Sequence, residues 1–296
     1  MTNEADRAPA ITQAMVKAYD DYTHVTLDRR GFMTRLTELA GSAAAAAAIV
    51  PMLAASKARA AIVAADDAAL TTSHETYSAA SVDMRGYLAK PSEGEGPWPA
   101  VIVVHENRGL NPHTEDVARR FAKEGFVAFA PDFLSPVGGT PENEDEARGM
   151  IGSLVAEETT ARAVATLGWL AGQPGSNGNV GAVGFCWGGG LVNDLAVATP
   201  SLGAGVAYYG RQPDAATVEA IEAAMMLHYA GLDDRINEGI ETYRTALEAA
   251  GVEHEIFVYD GVNHAFNNDT SAARYDKAAS DLAFERSVTF LKEKLA

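Results

Sequence analysis

The sequence predicts an α/β fold, a mostly parallel central sheet with helices on both faces, plus an N-terminal helical extension. Three observations predict it. From about residue 73 short β-branched runs alternate with segments of helical spacing, as strand and helix do in a βαβ chain. Several of those runs are continuously apolar, the pattern of strands covered on both faces. The first 72 residues show no such alternation and contain the six-alanine run Ala43 to Ala48. These observations divide the chain into an extension at 1–72 and an α/β domain at 73–296.

A first strand pair is expected near Tyr77 to Pro91, then a polar turn through Ser92-Glu93-Gly94. Ala100 to Val104 reads as a core strand, and Thr114 to Gly125 as a helix with acids early and Arg and Lys late, as the helix dipole favours. Phe126 to Ala130 is the next strand, and one helix is expected from Glu144 to Gly172. Strand Val180 to Phe185, helix Gly189 to Ala198, strand Gly205 to Tyr209 and a helix near Ala216 to Ala223 continue the repeat. It closes with strand Met225 to Ala230, helix Glu238 to Ala250, strand Glu255 to Tyr259 and a C-terminal helix near Lys277 to Leu295. In such sheets the ligand sits beyond the carboxyl ends of the strands, so the chemistry is sought there.

Composition narrows the function classes. With 296 residues and 47% hydrophobic content the chain can bury a large core. A formal charge of −17 repels polyanions, so nucleic acid is not an expected partner and a small molecule is. The single cysteine, Cys186, forms neither an internal disulfide nor a multi-cysteine zinc cluster, and no cluster implies a cofactor or a metal. Cys186 is therefore either inert packing or a reactive thiol.

Its surroundings favour the second reading. Val183-Gly184-Phe185-Cys186-Trp187-Gly188-Gly189 joins a strand to a helix in the form Gly-x-Cys-x-Gly, a nucleophile elbow with cysteine in the place of serine. The bend lifts the sulfur to a helix N-terminus, whose dipole favours a thiolate, and offers the N–H of Trp187 to a developing oxyanion. Downstream, the strand ending at Ala230 is followed by Gly231-Leu232-Asp233-Asp234-Arg235-Ile236, and the last strand by Asp260-Gly261-Val262-Asn263-His264. Nucleophile, acid and histidine thus occur in the order that a strand-by-strand triad requires. Of the seven histidines, only His264 combines that order with a loop after the final strand; His105 ends an earlier strand and His228 lies within one. Loop position alone leaves Asp233 and Asp234 both open as the acid.

Together the elbow, the Gly-Leu-Asp-Asp-Arg-Ile loop, the Val-Asn-His-Ala-Phe segment and the early Val-Val-His-Glu-Asn-Arg-Gly-Leu-Asn segment resemble the dienelactone hydrolase family of α/β-hydrolases. The likeness spans about residues 77 to 296. It implies an α/β-hydrolase fold, hydrolysis of a carboxylic ester or lactone, Cys186 as nucleophile, His264 as base and Asp233 as the orienting acid. The resemblance also implies that Glu106 contacts the resting thiol and that the N–H of Asn107 completes the oxyanion hole. Attack by the thiolate and collapse to a thioester, then hydrolysis by water activated at His264, is the expected course. The family holds a substrate carboxylate with arginines, one of them just after the catalytic histidine. Here Asn267-Asn268 stand at that place, which points away from 4-carboxymethylenebut-2-en-4-olide as substrate. Arg108, Tyr209, Arg211 and Arg274 are the remaining candidates for lining the pocket, Arg211 foremost because it comes directly after a strand at the active-site end.

Two other classes fit parts of the pattern. Reactive-cysteine proteins of the DJ-1 and PfpI type also place a cysteine on a strand-to-helix elbow near a glutamate, but lack the late aspartate and histidine loops. A non-catalytic scaffold, assembling through its N-terminal arm as a homo-oligomer, would need none of the three residues together. In the extension, Asp28-Arg29-Arg30-Gly31-Phe32-Met33, the apolar stretch Leu39 to Ala55 and the small residues at Ala58-Arg59-Ala60 resemble a twin-arginine export signal. Ile11, Met15, Val16 and Tyr19 at helical spacing equally describe a retained arm. The location is periplasmic on the first reading and cytoplasmic on the second, and neither leaves a stable membrane insertion in the mature form.

Overall fold

The computed structural model describes residues 11–24, 27–54, 61–94 and 96–296. Eight strands form one sheet: β1 (Leu70–Ala79), β2 (Val82–Pro91), β3 (Trp98–Val104), β4 (Val127–Asp132), β5 (Ser176–Phe185), β6 (Ala204–Tyr208), β7 (Ala224–Ala230) and β8 (His254–Tyr259). Their order is β1-β2-β4-β3-β5-β6-β7-β8. The first two strands pair antiparallel, as does β2 with β4, while every pair from β4 to β8 is parallel. Continuous apolar runs explain the parallel part: every residue of β4, β6 and β7 is buried, so both faces must be covered.

Helices supply the cover. On one face lie α6 (Ala156–Ala171), α7 (Trp187–Ala198) and α9 (Ile240–Ala250), enclosing Ile102, Phe129, Ala182, Leu195 and Leu227. On the other lie α4 (Pro112–Lys123) and α10 (Lys277–Lys294), over Val101, Val103, Val183, Val206 and Met226. Capping fixes the start of α4: Asn111 accepts from the N–H of Thr114, and Pro112 occupies the first turn, where its missing N–H costs nothing.

Where the structure departs from the expected elements, short-range chemistry explains it. The single helix expected from Glu144 to Gly172 is two, α5 (Glu144–Gly152) and α6, because the chain after Gly152 tightens into i to i+3 bonds at Ser153 and Leu154. A helix expected near Ala216 to Ala223 is a single 3₁₀ stretch at Ala215–Ala220. The helix expected from Glu238 begins earlier and is interrupted, giving α8 (Asp234–Asn237) ahead of α9, and β1 begins at Leu70 rather than near Tyr77.

Before the sheet come α1 (Gln13–Thr23), α2 (Arg29–Ala40) and α3 (Ala43–Leu53). They share a small core of Met15, Val16, Tyr19, Tyr22, Phe32, Leu36, Ile49 and Leu53. Arg29 and Arg30 open α2, with Asp28 capping it through the N–H of Gly31. Gly41 in left-handed conformation ends α2, and α3 leaves at 111° to it. Among the described residues no single helix is long and apolar enough to cross a membrane. The small residues at Ala58 to Ala60 lie outside the described residues.

Candidate active site

The parallel strands end along one edge, so the loops after β3, β5, β6, β7 and β8 meet there. After β5, Cys186 turns at φ 56° and ψ −114°, its N–H donating to the carbonyl of Tyr208 at 3.0 Å. Trp187 then begins α7, and the first N–H groups of a helix have no intrahelical carbonyl. The turn is possible only because two neighbours lack side chains. A Cβ on Gly184 would stand 2.1 Å from the carbonyl oxygen of Gly188, and one on Gly188 would stand 2.5 Å from that of His105. Both obstacles are backbone and cannot swing away. Gly184→Ala is therefore expected to destabilise the protein by about 3 kcal/mol or more, or to prevent folding, as read by chemical denaturation. Cys186, Tyr209 and Ala265, three of the five described non-glycine residues with positive φ, surround this edge, a concentration of backbone strain at one place.

The candidate acid and histidine come from adjacent loops. The N–H of Leu232 donates to the carbonyl of Val262 at 3.0 Å, tying the loop after β7 to the loop after β8. Asp233 caps α8 and is buried, whereas Asp234 is exposed. The Asp233 carboxylate lies 2.5 Å from His264 Nδ1. Burial pushes the Asp233 carboxyl up, but the imidazolium of His264 and the hydrogen bond to it prevail and hold it below the ordinary range. Burial pulls His264 down, and the charges of Asp233, Asp20 and the thiolate overcome it, raising the imidazole well above its ordinary value. His264 Nε2 is buried and has no hydrogen-bond partner among the described residues.

A second histidine, unforeseen from the sequence, completes the group. His24 caps the C-terminal end of α1 and its Nε2 lies 3.2 Å from Cys186 Sγ. Its Nδ1 lies 2.8 Å from the carbonyl oxygen of Asp20 and 3.2 Å from that residue's carboxylate. The rings of His24 and His264 meet edge to face, with centroids 4.4 Å apart. Burial pushes the Cys186 thiol up; the positive charges of His24 and His264, His24 the stronger, and the polar contacts of both imidazoles with the sulfur outweigh it and bring the thiol down to about 6. For His24 burial is again the adverse effect, with the thiolate and Asp20 raising the imidazole above its usual value. The donor atoms of His24, Cys186 and His264 all lie within 4.8 Å of one another, a spacing that a soft ion could bridge. The contact between His24 and the sulfur, and the carboxylate behind each imidazole, account for the spacing without one. The sequence did carry a signal for His24: Asp20 and His24 stand four apart at the end of an amphipathic helix, on one face of it.

Glu106 differs from expectation. The Glu106 carboxylate accepts from Asn268 Nδ2 at 2.7 Å and Tyr209 Oη at 3.5 Å, while His24 hydrogen-bonds the sulfur. Asn268, one of the two asparagines at the place where the resemblance implies an arginine, holds one oxygen of that carboxylate. Burial pushes Glu106 up, yet Arg274, His113 and Arg108 keep it below the ordinary carboxylate range. The side chain of Asn107 donates to the carbonyl of Thr23 at 2.7 Å, fixing the end of α1 to the loop after β3.

A cavity of about 370 Å³ opens beside the sulfur, lined by Ile151, Leu154, Leu191 and Ile236 with Tyr209 and Trp187. Of the candidate cations, only Arg211 lines it, paired with Asp194 at 2.6 Å. Arg108 and Arg274 are buried on the Glu106 side of the sulfur and hydrogen-bonded to other side chains. Arg108 donates to Tyr19 Oη at 2.8 Å and faces Glu144 at 3.4 Å. Arg274 donates to Ser271 Oγ, covers the ring of Tyr19 and approaches Asp20 at 4.0 Å. Both brace α1. Arg148, which the sequence did not single out, also lines the cavity and donates to the carbonyl of Tyr22 at 2.9 Å.

Comparison with known proteins gives a consistent result. The model of the family described as "Dienelactone hydrolase family" matches residues 84–295. A protein of Escherichia coli O157:H7 named "Putative carboxymethylenebutenolidase" is 35% identical over 228 residues, covering 71% of this chain and 83% of that one. The crystal structure of a "Putative Dienelactone Hydrolase from Klebsiella pneumoniae subsp. pneumoniae MGH 78578" superposes with a TM-score of 0.69 at 28% identity, covering 75% of this chain and 98% of that chain. A mutant of the esterase rPPE shares the fold over 98% of this chain and 99% of its own, at 16% identity and a TM-score of 0.64.

Proposed function

The chain belongs to the dienelactone hydrolase family and is a hydrolase of esters or lactones, and from that premise we propose that it works through Cys186, His264 and Asp233 by way of a thioester. The observation that carries the reading is the buried pair of His264 and Asp233, 2.5 Å apart, on loops that bring the imidazole beside a thiol lowered to about 6. A thiolate at neutral pH needs no base to become a nucleophile. It attacks the acyl carbon, and the N–H groups of Trp187 and Asn107 receive the oxyanion. Expulsion of the alkoxide leaves the acyl group on sulfur, and His264 activates the water that releases it. Asp233 keeps the proton of the imidazole on Nδ1, so that Nε2 faces the reaction.

The substrate is a small ester or lactone with an apolar acyl part. The cavity holds about 370 Å³, and Ile151, Leu154, Leu191 and Ile236 with Trp187 give it an apolar side. Arg211, Arg148 and Arg235 are the cations that line it, and the ion pair of Arg211 with Asp194 weakens that residue as a carboxylate receptor. A panel of p-nitrophenyl esters and lactones, assayed with and without a thiol alkylating agent, tests the reading. Turnover that is highest for short apolar acyl groups and abolished by alkylation is the expected result. Rapid thiol oxidation with esters ignored would reassign the site to redox chemistry.

A further inference from the structure

We propose that His24, carried by the N-terminal arm, is a catalytic residue that holds Cys186 as thiolate, leaving His264 free to serve the leaving group and the water. The inference rests on the reading of Cys186 as nucleophile. Its basis is geometric. Each imidazole has a carboxylate behind it, Asp20 for His24 and Asp233 for His264, but their Nε2 atoms differ. That of His24 is 3.2 Å from Sγ, whereas that of His264 is buried with no hydrogen-bond partner among the described residues. In a single-histidine site one imidazole must take the thiol proton, return it to the leaving alkoxide and then activate water. Two imidazoles divide that work.

The arm is built to deliver His24. Thr23 is fixed by Asn107, Tyr19 by Arg108, and Tyr22 donates to Asp145 at 2.7 Å. Farther along, the side chains of Gln13 and Asn263 hydrogen-bond, so that α1 spans the edge of the sheet from the loop after β3 to the loop of His264. The side chain of His24 is only 11% exposed, and water competes little for its proton.

Protons and bonds balance over the cycle. At rest the thiol proton resides on His24 Nε2, giving thiolate and imidazolium, and His264 is also an imidazolium beside Asp233. The thiolate bonds to the acyl carbon; the ester C–O bond breaks and the alkoxide takes a proton from His264 Nε2, leaving as alcohol. Neutral His264 then takes a proton from water as its oxygen bonds to the acyl carbon. The C–S bond breaks, the carboxylic acid departs and the thiolate returns to its ion pair with His24. One ester and one water give one acid and one alcohol, and both histidines end as they began.

The test uses the full chain with His24→Gln, Asp20→Asn and His264→Gln. Charged and titratable groups around the two imidazoles are Asp20, Asp233, Glu106, Arg108, Arg235, Arg274, Tyr209 and the thiol itself, all present in His24→Gln. For the wild type, iodoacetamide alkylation should track a thiolate titrating near 6. Alkylation at pH 6 should fall about tenfold in His24→Gln, and less in Asp20→Asn, where the imidazole remains but is less basic. In His264→Gln, which loses the smaller of the two positive charges beside the sulfur, alkylation at pH 6 should fall less than in His24→Gln, and p-nitrophenyl acetate should give one equivalent of p-nitrophenol and then stop, since that leaving group needs no acid. An unshifted alkylation profile in both His24→Gln and Asp20→Asn, or no burst in His264→Gln, overturns the division of labour. Full turnover by Cys186→Ala would instead overturn the nucleophile itself, so the two failures are distinguishable. Circular dichroism separates a lost ion pair from a lost fold, and Asp20→Asn keeps the test decisive if His24→Gln unfolds.

The same geometry bears on residues 1–72. His24 can act only in a chain that keeps them, so mass spectrometry of the active protein from its native host should find the N-terminal segment present. An active species beginning after Ala60 would remove His24 and the inference with it.

Discussion

Cys186→Ala is expected to lower kcat/KM for an ester by about 10⁴-fold or more, the scale on which loss of a covalent nucleophile is felt when the rest of the site is intact. The expected size comes from the chemistry. Without sulfur, hydrolysis requires direct attack by water, and the two steps through a thioester collapse into one harder step. Binding should persist, because the apolar side of the cavity is formed by Ile151, Leu154, Leu191 and Ile236, which alanine at position 186 leaves in place. A competitive product or substrate analogue should therefore bind the variant within about threefold of wild type, and undiminished turnover would refute the covalent route. Cys186→Ser should retain a fraction of the activity, since a hydroxyl beside His24 and His264 is not ionised near neutral pH but keeps the position of the nucleophile.

Asp233→Asn should lower kcat by on the order of 10³ to 10⁴-fold, and Asp234→Asn should leave it within about threefold. The contrast is stronger than either variant alone. Asp233 is buried and lies 2.5 Å from His264 Nδ1, so an amide there no longer secures the proton on Nδ1 and no longer offsets the imidazolium. Asp234 next to it is exposed at the start of α8. The pH dependence obeys the same logic. The carboxyl of Asp233 is held low by His264 and the thiol of Cys186 titrates near 6, so activity should fall as acidity increases through pH 6 with Asp233 still ionised. A rate that instead rose on acidification would mean that the neutral thiol is the active form. Equal losses in the two aspartate variants would mean that the loop, and not its carboxylate, matters.

The strands were legible because their signal is local. Val101 to Val104 and Phe126 to Ala130 are apolar at every position, and only a strand covered on both faces needs that. Helix limits were less legible: nothing in the periodicity of 144–172 shows that Gly152 and Ser153 end one helix and allow another to start. Cys186, Asp233 and His264 could be read together because each stands in a loop immediately after a strand, and a parallel sheet brings all such loops to one edge. Glu106 was found, but its hydrogen bonds were not, because they depend on where Asn268 and Tyr209 point. His24 lies 162 positions before the cysteine it touches, in a segment whose composition suggested an appendage or a signal. No pattern within α1 records which surface it will cover.

By itself, then, the sequence determined the layered sheet, the elbow and the chain order of the proposed nucleophile, acid and histidine, since each is written in periodicity, in glycine positions or in the loops that leave the strands. Only the tertiary structure decided what surrounds the sulfur. Packing of Tyr19 against Arg108 and Arg274, and of Thr23 against Asn107, seats α1 across the open edge of the sheet. The thiol therefore meets an imidazole from the arm rather than the carboxylate of Glu106, because contacts between distant segments are set by the fit of whole surfaces and not by the residues of either segment alone.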